Sequence, residues 1–128
     1  MTIFIFDPKD NVIVCPAEAI GPISDFRLMM IVDTGASYTM IPKLAAQVIG
    51  LVPSNRYIDI VTGTKVERMP LTTIPIFRAF GVEYHNMPVL IHDLPSQFKA
   101  DGLLGLNFLK KSKCIIDFTK NTISIPHK

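Results

Sequence analysis

Five apolar residues, Leu28-Met29-Met30-Ile31-Val32, end abruptly in Asp33-Thr34-Gly35-Ala36-Ser37, and a second apolar patch at 38–41 follows at once. A run of that kind bounded by turn residues predicts a buried strand, so the pattern carries one carboxylate to the end of a strand on a tight turn. Gly35 lets the backbone pass close beneath that carboxylate, where any Cβ would intrude, and the Thr34 hydroxyl is able to tie the turn down. One acidic group held rigidly among apolar residues is the raw material of acid–base chemistry. The tripeptide alone decides little, since Asp-x-Gly is also a common hairpin corner. At ordinary residue usage it arises by chance in about one chain in forty of this length. What raises it is a second element, Asp101-Gly102-Leu103-Leu104-Gly105-Leu106-Asn107-Phe108-Leu109.

At 128 residues the chain is long enough for one domain, 1–128, with a real core. A hydrophobic share of 48% excludes disorder, and ten prolines against seven glycines point to a loop-rich, mainly β chain. A net charge of +2 is too small to imply a nucleic-acid partner. Lys110, Lys111 and Lys113 form the one basic cluster and read as a solvated helix end. The N-terminal stretch has no basic region and only four consecutive apolar residues, which does not match a secretory signal. No stretch approaches the roughly 20 apolar residues of a membrane span. The expectation is a cytoplasmic protein with no membrane partner. Cys15 and Cys114 read as two buried thiols in strands of a reduced compartment.

Strands are expected at 3–6, 12–20 and 26–32. Pro42 suits the first residue of a short helix over 43–49 that Gly50 stops. Residues 56–61 and 65–71 flank Thr62-Gly63-Thr64 as a hairpin. Pro70 and Pro75 confine the return strand to an edge or to irregular pairing. A further hairpin over 74–77 and 82–84, a strand at 87–91, a short helix at 106–111 and a terminal hairpin over 114–118 and 122–125 complete seven or eight strands and two helices.

The combination of apolar-Asp33-Thr34-Gly35-Ala36-Ser37, a glycine-tipped hairpin some 30 residues on, and Leu103-Leu104-Gly105 before a short helix resembles the retropepsins. These are the single-domain aspartic proteases related to retroviral proteases and to each half of a pepsin; the ending resembles their bacterial and cellular branch. The resemblance spans about residues 26–125. It implies a closed, barrel-like β fold with a flap hairpin, and a homodimer in which each subunit supplies one catalytic aspartate, here Asp33. It implies that Thr34 reaches across the two-fold axis, that Gly35 lets the loops approach, and that Ala36 and Ser37 complete the loop. Leu103, Leu104 and Gly105 would support that loop from behind, and Thr62, Gly63 and Thr64 would form the flap over a protein or peptide substrate. Leu106 stands where retroviral members usually carry Arg or another polar residue, and Tyr57 lies too early in its strand to match the flap tyrosine of pepsins. Residues 122–125 are the expected strand between subunits.

The chemistry needs two copies. Two carboxylates about 3 Å apart cannot both ionise, so the pair shares a proton. One takes a proton from the attacking water, and the other protonates the developing oxyanion. A single Asp-Thr-Gly supplies half of such a pair, so a C2 dimer follows. Asp101 lacks the same apolar context and reads as a loop or capping residue, and Asp117 as solvent-facing or paired with a neighbouring Lys. His85, His92, Asp93 and the distant His127 do not have the ligand spacing of a zinc site. Neither a metal nor a cofactor is expected. Nothing resembles a serine or cysteine nucleophile or a phosphate-binding loop. The competing expectation is a catalytically silent module that keeps the fold for dimerisation or peptide binding.

Overall fold

Apolar residues alternate with polar ones along the early strands, which is the pattern of a sheet with one buried face. Cys15, Ala17 and Ala19 point inward opposite Met30, Leu28 and Phe26 of the next strand. The computed structural model describes residues 1–52 and 54–126. Among them the order is β1 (Thr2–Ile5), β2 (Val14–Ile20), β3 (Asp25–Val32), β4 (Thr39–Ile41), α1 (Lys43–Ile49), β5 (Tyr57–Thr62), β6 (Lys65–Ala79), β7 (Val82–Ile91), β8 (Gly102–Leu104), α2 (Leu106–Ser112), β9 (Ile115–Asp117) and β10 (Thr122–Ile125).

Six strands close a barrel in the order β2-β3-β8-β4-β7-β6, and pairing of Glu18, Ala19 and Ile20 with Arg78, Phe77 and Ile76 seals β6 back onto β2. Arg78 lies between Glu18 and Glu83 on the outside of this seam. These exposed pairs add little to stability. The mainly β, closed-barrel expectation therefore holds. β8 inserts parallel to β3 and touches β4 at Met40–Leu103, which places residues 102–104 beside the strand that leads to Asp33. Phe77 and Phe108 meet edge to face at 5.4 Å in the core beneath α2. No helix among the described residues is long and apolar enough to cross a membrane.

Three expectations change. The segment from 65 to 79 is one strand that runs through both prolines, not two strands of separate hairpins. Pro70 pairs with Tyr57, while Pro75 and Asn86 face each other without pairing between the Ile74–Met87 and Ile76–His85 pairs. Pro75 has no N–H to give, and Asn86 takes φ 56°, a left-handed conformation that Asn tolerates. The strands expected at 82–84 and 87–91 likewise form the single β7. Pro42 is the N-cap of α1, one residue before the helix, and Asp93 Oδ1 accepts the Lys43 N–H at 2.9 Å in place of a local cap. The third change concerns the terminal sheet, ordered β1-β10-β9. Residues 122–125 form its centre strand, with both edges occupied within the subunit and Ile123 and Ile125 buried. That strand is not free to pair with a second copy, so the outer edges of the sheet belong to β1 and β9.

The thiols also differ. Both are free, but only Cys15 is buried in a strand; Cys114 is half-buried just ahead of β9. Burial pushes the Cys15 thiol up to about 12 from its ordinary 9.0. Between those values the unfolded chain gives up a proton that the native chain keeps, so stability falls as pH rises. The slope approaches about 1.4 kcal/mol per pH unit. Alkylation at neutral pH is expected to label Cys114 in the native protein and Cys15 only in denaturant, as mass spectrometry of tryptic peptides will read. Labelling of native Cys15 at the same rate would contradict this burial.

Candidate active site

β3 ends at Val32, and Asp33 continues the parallel ladder by donating its N–H to the Leu104 carbonyl at 3.0 Å. The chain then reverses. The Ala36 N–H donates to the Asp33 carbonyl at 3.2 Å, and the Gly35 N–H donates to Asp33 Oδ1 at 2.9 Å. The carboxylate is thus oriented by the backbone of its own turn. A Cβ on Gly35 would stand 3.2 Å from that same oxygen. Ala36 is buried, whereas Thr34, Gly35 and Ser37 are exposed, and among the described residues the Thr34 hydroxyl makes no hydrogen bond within the chain.

Residues 105–107 run directly behind this loop. Leu106 and Asn107 donate their N–H groups to the carbonyls of Ala36 and Ser37 at 2.8 and 3.2 Å. Gly105 is buried, and a Cβ there would lie 2.6 Å from the Tyr38 carbonyl carbon and oxygen and 2.8 Å from the Ala36 carbonyl oxygen. Leu104 is fully buried, and Leu103 is half-buried.

Sequence reasoning missed the polar anchor of this region. Thr39, fully buried, accepts the Gly105 N–H at its hydroxyl and donates that hydroxyl to Asn107 Oδ1. Asn107 Oδ1 also accepts the Thr39 N–H, and its amide nitrogen donates to the Pro88 carbonyl at 2.7 Å. One side chain therefore ties β4, β7 and the start of α2 together. It sits one position after Leu106. A Thr within an apolar strand and an Asn within an apolar helix were the visible signals, because buried polar groups seek partners.

Above the carboxylate lies a groove of about 810 Å³ whose walls include Val32, Asp33, Met40, Thr62, Met69 and Leu103. Thr62 reaches it from the hairpin of β5 and β6. Gly63, at φ 63°, and Thr64 make the exposed two-residue tip. No tyrosine is among the groove's lining residues, and Tyr57 is exposed at the start of β5. Two further lining residues were not anticipated: Glu67 on β6 and His92 just after β7, whose side chains meet at 3.3 Å.

The other candidate acids stand elsewhere. Asp101 exchanges hydrogen bonds with Met29: its N–H goes to the Met29 carbonyl, and its carboxylate accepts the Met29 N–H, each at 2.7 Å. Asp117 accepts the N–H groups of Thr119 and Lys120. His85 pairs with Glu83, and Asp93 caps α1. No three His, Cys, Asp or Glu side chains gather as metal ligands among the described residues, and His127 lies outside them.

A family model described as "gag-polyprotein putative aspartyl protease" matches residues 21–111. A retropepsin-like aspartic protease from Rickettsia conorii superposes with a TM-score of 0.65 at 22% identity, over 94% of this chain and 86% of that one. The retroviral protease-like domain of Ddi1 from Leishmania major superposes with a TM-score of 0.61 at 19% identity, over 94% and 92% of the two chains. No curated protein matches in sequence. At these identities the superpositions show the shared fold.

Proposed function

Because this chain belongs to the gag-polyprotein aspartyl protease family and has the retropepsin-like fold, we propose that residues 1–128 form one domain that works as a homodimeric aspartic endopeptidase. The observation that carries this reading is one carboxylate, Asp33, oriented by the Gly35 N–H at the wall of a groove, on a loop whose Thr34 and Gly35 face outward. A second copy of that loop across a two-fold axis brings the two Asp33 side chains together. Exposed apolar side chains on the terminal sheet and in its β9–β10 turn, with Ile5 at 75% and Phe118 at 73%, give the association a source of free energy.

In the dimer the paired carboxyls share one proton. The ionised member takes a proton from the attacking water as its oxygen bonds to the peptide carbonyl carbon. The protonated member donates to the carbonyl oxygen. Collapse of the tetrahedral species breaks the C–N bond: the departing nitrogen receives the proton the first carboxylate gained, and one hydroxyl returns its proton to the second carboxylate as the C=O re-forms. Ala36, Ser37, Leu103, Leu104 and Gly105 hold the carboxylate in place, and Thr62, Gly63 and Thr64 close over the substrate, which lies extended as an added strand.

The test combines sedimentation at low micromolar concentration with digestion of a denatured protein at pH 3–8. Cleavage that tracks the dimer fraction and is blocked by a statine-type inhibitor is the expected result. A protein that is strictly monomeric yet cleaves, or dimeric yet inert across that range, would overturn the reading; in the inert case saturable peptide binding would identify a silent module.

A further inference from the structure

The hairpin over the groove has two different faces. Side chains alternate along it, and the cross-strand pairs Ile58–Met69, Ile60–Glu67 and Thr62–Lys65 lie on one side. Met69 is buried, and Met69, Glu67 and Thr62 all line the groove, which fixes that side as the inner one. On the outer side Asp59 and Arg68 form their own exposed ion pair at 3.1 Å. Glu67, although its side chain is 40% exposed in the single subunit, therefore faces the groove and not the outer surface of the hairpin. It is a carboxylate presented to the same apolar space as Asp33, where Met40, Leu94, Phe98 and Leu103 make much of the wall.

We infer that Glu67 makes this groove select a peptide with a Lys or Arg side chain near the scissile bond. The inference rests on the reading that the groove holds an extended peptide. His92 Nε2 lies 3.3 Å from Glu67 Oε2, and Glu67 makes no other ion pair among the described residues. The imidazole stands beside Oε2 alone, which leaves Oε1 open to a further donor. A peptide that fills the groove excludes water, and a carboxylate buried against hydrocarbon carries a desolvation penalty unless a donor or cation replaces the water. Lys and Arg supply that donor; an apolar residue of equal length does not, so the groove rejects it. In a two-fold dimer the second Glu67 stands on the opposite side of the dyad, giving two equivalent cationic subsites that flank the cleavage point.

The experiment reads binding and cleavage separately. Immobilised full-length Asp33→Asn protein is incubated with a randomised synthetic peptide library that includes norleucine, and the retained peptides are sequenced by mass spectrometry. The same library is digested by the parent protein. Lys and Arg are expected to exceed norleucine by about tenfold or more at one subsite, the scale of a charge-assisted hydrogen bond. The preference is expected to vanish with Glu67→Gln and to turn toward Asp and Glu with Glu67→Lys. An empty retained pool, a pool without cationic enrichment, or enrichment that Glu67→Gln leaves unchanged overturns the inference. Cleavage without this preference removes the subsite and leaves the endopeptidase reading, whereas the preference without cleavage does the reverse.

Discussion

Asp33→Asn is expected to lower peptide cleavage by about three orders of magnitude or more while leaving the fold and the dimer in place. The scale follows from the loss of general acid–base catalysis at the reacting atoms, worth about 10²–10⁴-fold. The change removes this function with little structural cost. Asn keeps the shape of Asp, and its Oδ1 still accepts the Gly35 N–H that now holds the carboxylate at 2.9 Å. What it lacks is any oxygen able to take a proton from water. In the dimer both members of the pair change together, so neither can compensate. The measurement is the initial rate on a cleaved peptide, with circular dichroism and sedimentation on the same sample. A variant that folds, dimerises and cleaves at the parental rate would remove Asp33 from the chemistry.

Gly105→Ala is expected to destabilise the protein by about 3 kcal/mol or more, at the upper end of the cost of overpacking. For a chain of this size that lowers Tm by roughly 10 °C. The reason is space and not backbone conformation. Gly105 sits at φ −93° and ψ −178°, ordinary extended backbone that any residue adopts. An added Cβ would instead meet the Tyr38 carbonyl group at 2.6 Å and the Ala36 carbonyl oxygen at 2.8 Å, and backbone atoms cannot rotate away as a side chain does. Relief requires the Asp33 loop and the start of α2 to part, which breaks the Leu106-to-Ala36 hydrogen bond and the Gly105-to-Thr39 contact. Activity is therefore expected to fall more than the folded fraction does, because the loop that carries the carboxylate is the part displaced. A thermal melt unchanged from the parent would show that the two backbones are not in contact.

Local pattern made much of this molecule legible. The apolar run before Asp33, the glycine stop of α1 and the turn residues at 62–64 each act within a few positions, and strand and helix limits there agree with expectation to within one or two residues. What was not legible depends on partners distant in sequence. Pro70 and Pro75 signal an interruption when read alone, yet β6 continues because Pro75 falls where no ladder hydrogen bond is required of it. The centre position of β10 depends on β1, more than a hundred residues earlier, folding against it. In the candidate site, the Asp-Thr-Gly and Leu-Leu-Gly segments stood out because their chemistry is contiguous. Thr39 with Asn107, and Glu67 with His92, are pairs across 68 and 25 positions, and neither residue is unusual until the other is beside it.

The short strand β8 has a consequence in time. It threads between β3 and β4 and supplies the Leu104 carbonyl that receives the Asp33 N–H, yet it is synthesised some seventy residues after that aspartate. On the ribosome, the loop that bears the carboxylate emerges first and has nothing behind it until residues 102–107 follow. Contacts this distant form late in folding. A growing chain of this kind therefore carries its acid some seventy residues before it has the strand that aims it.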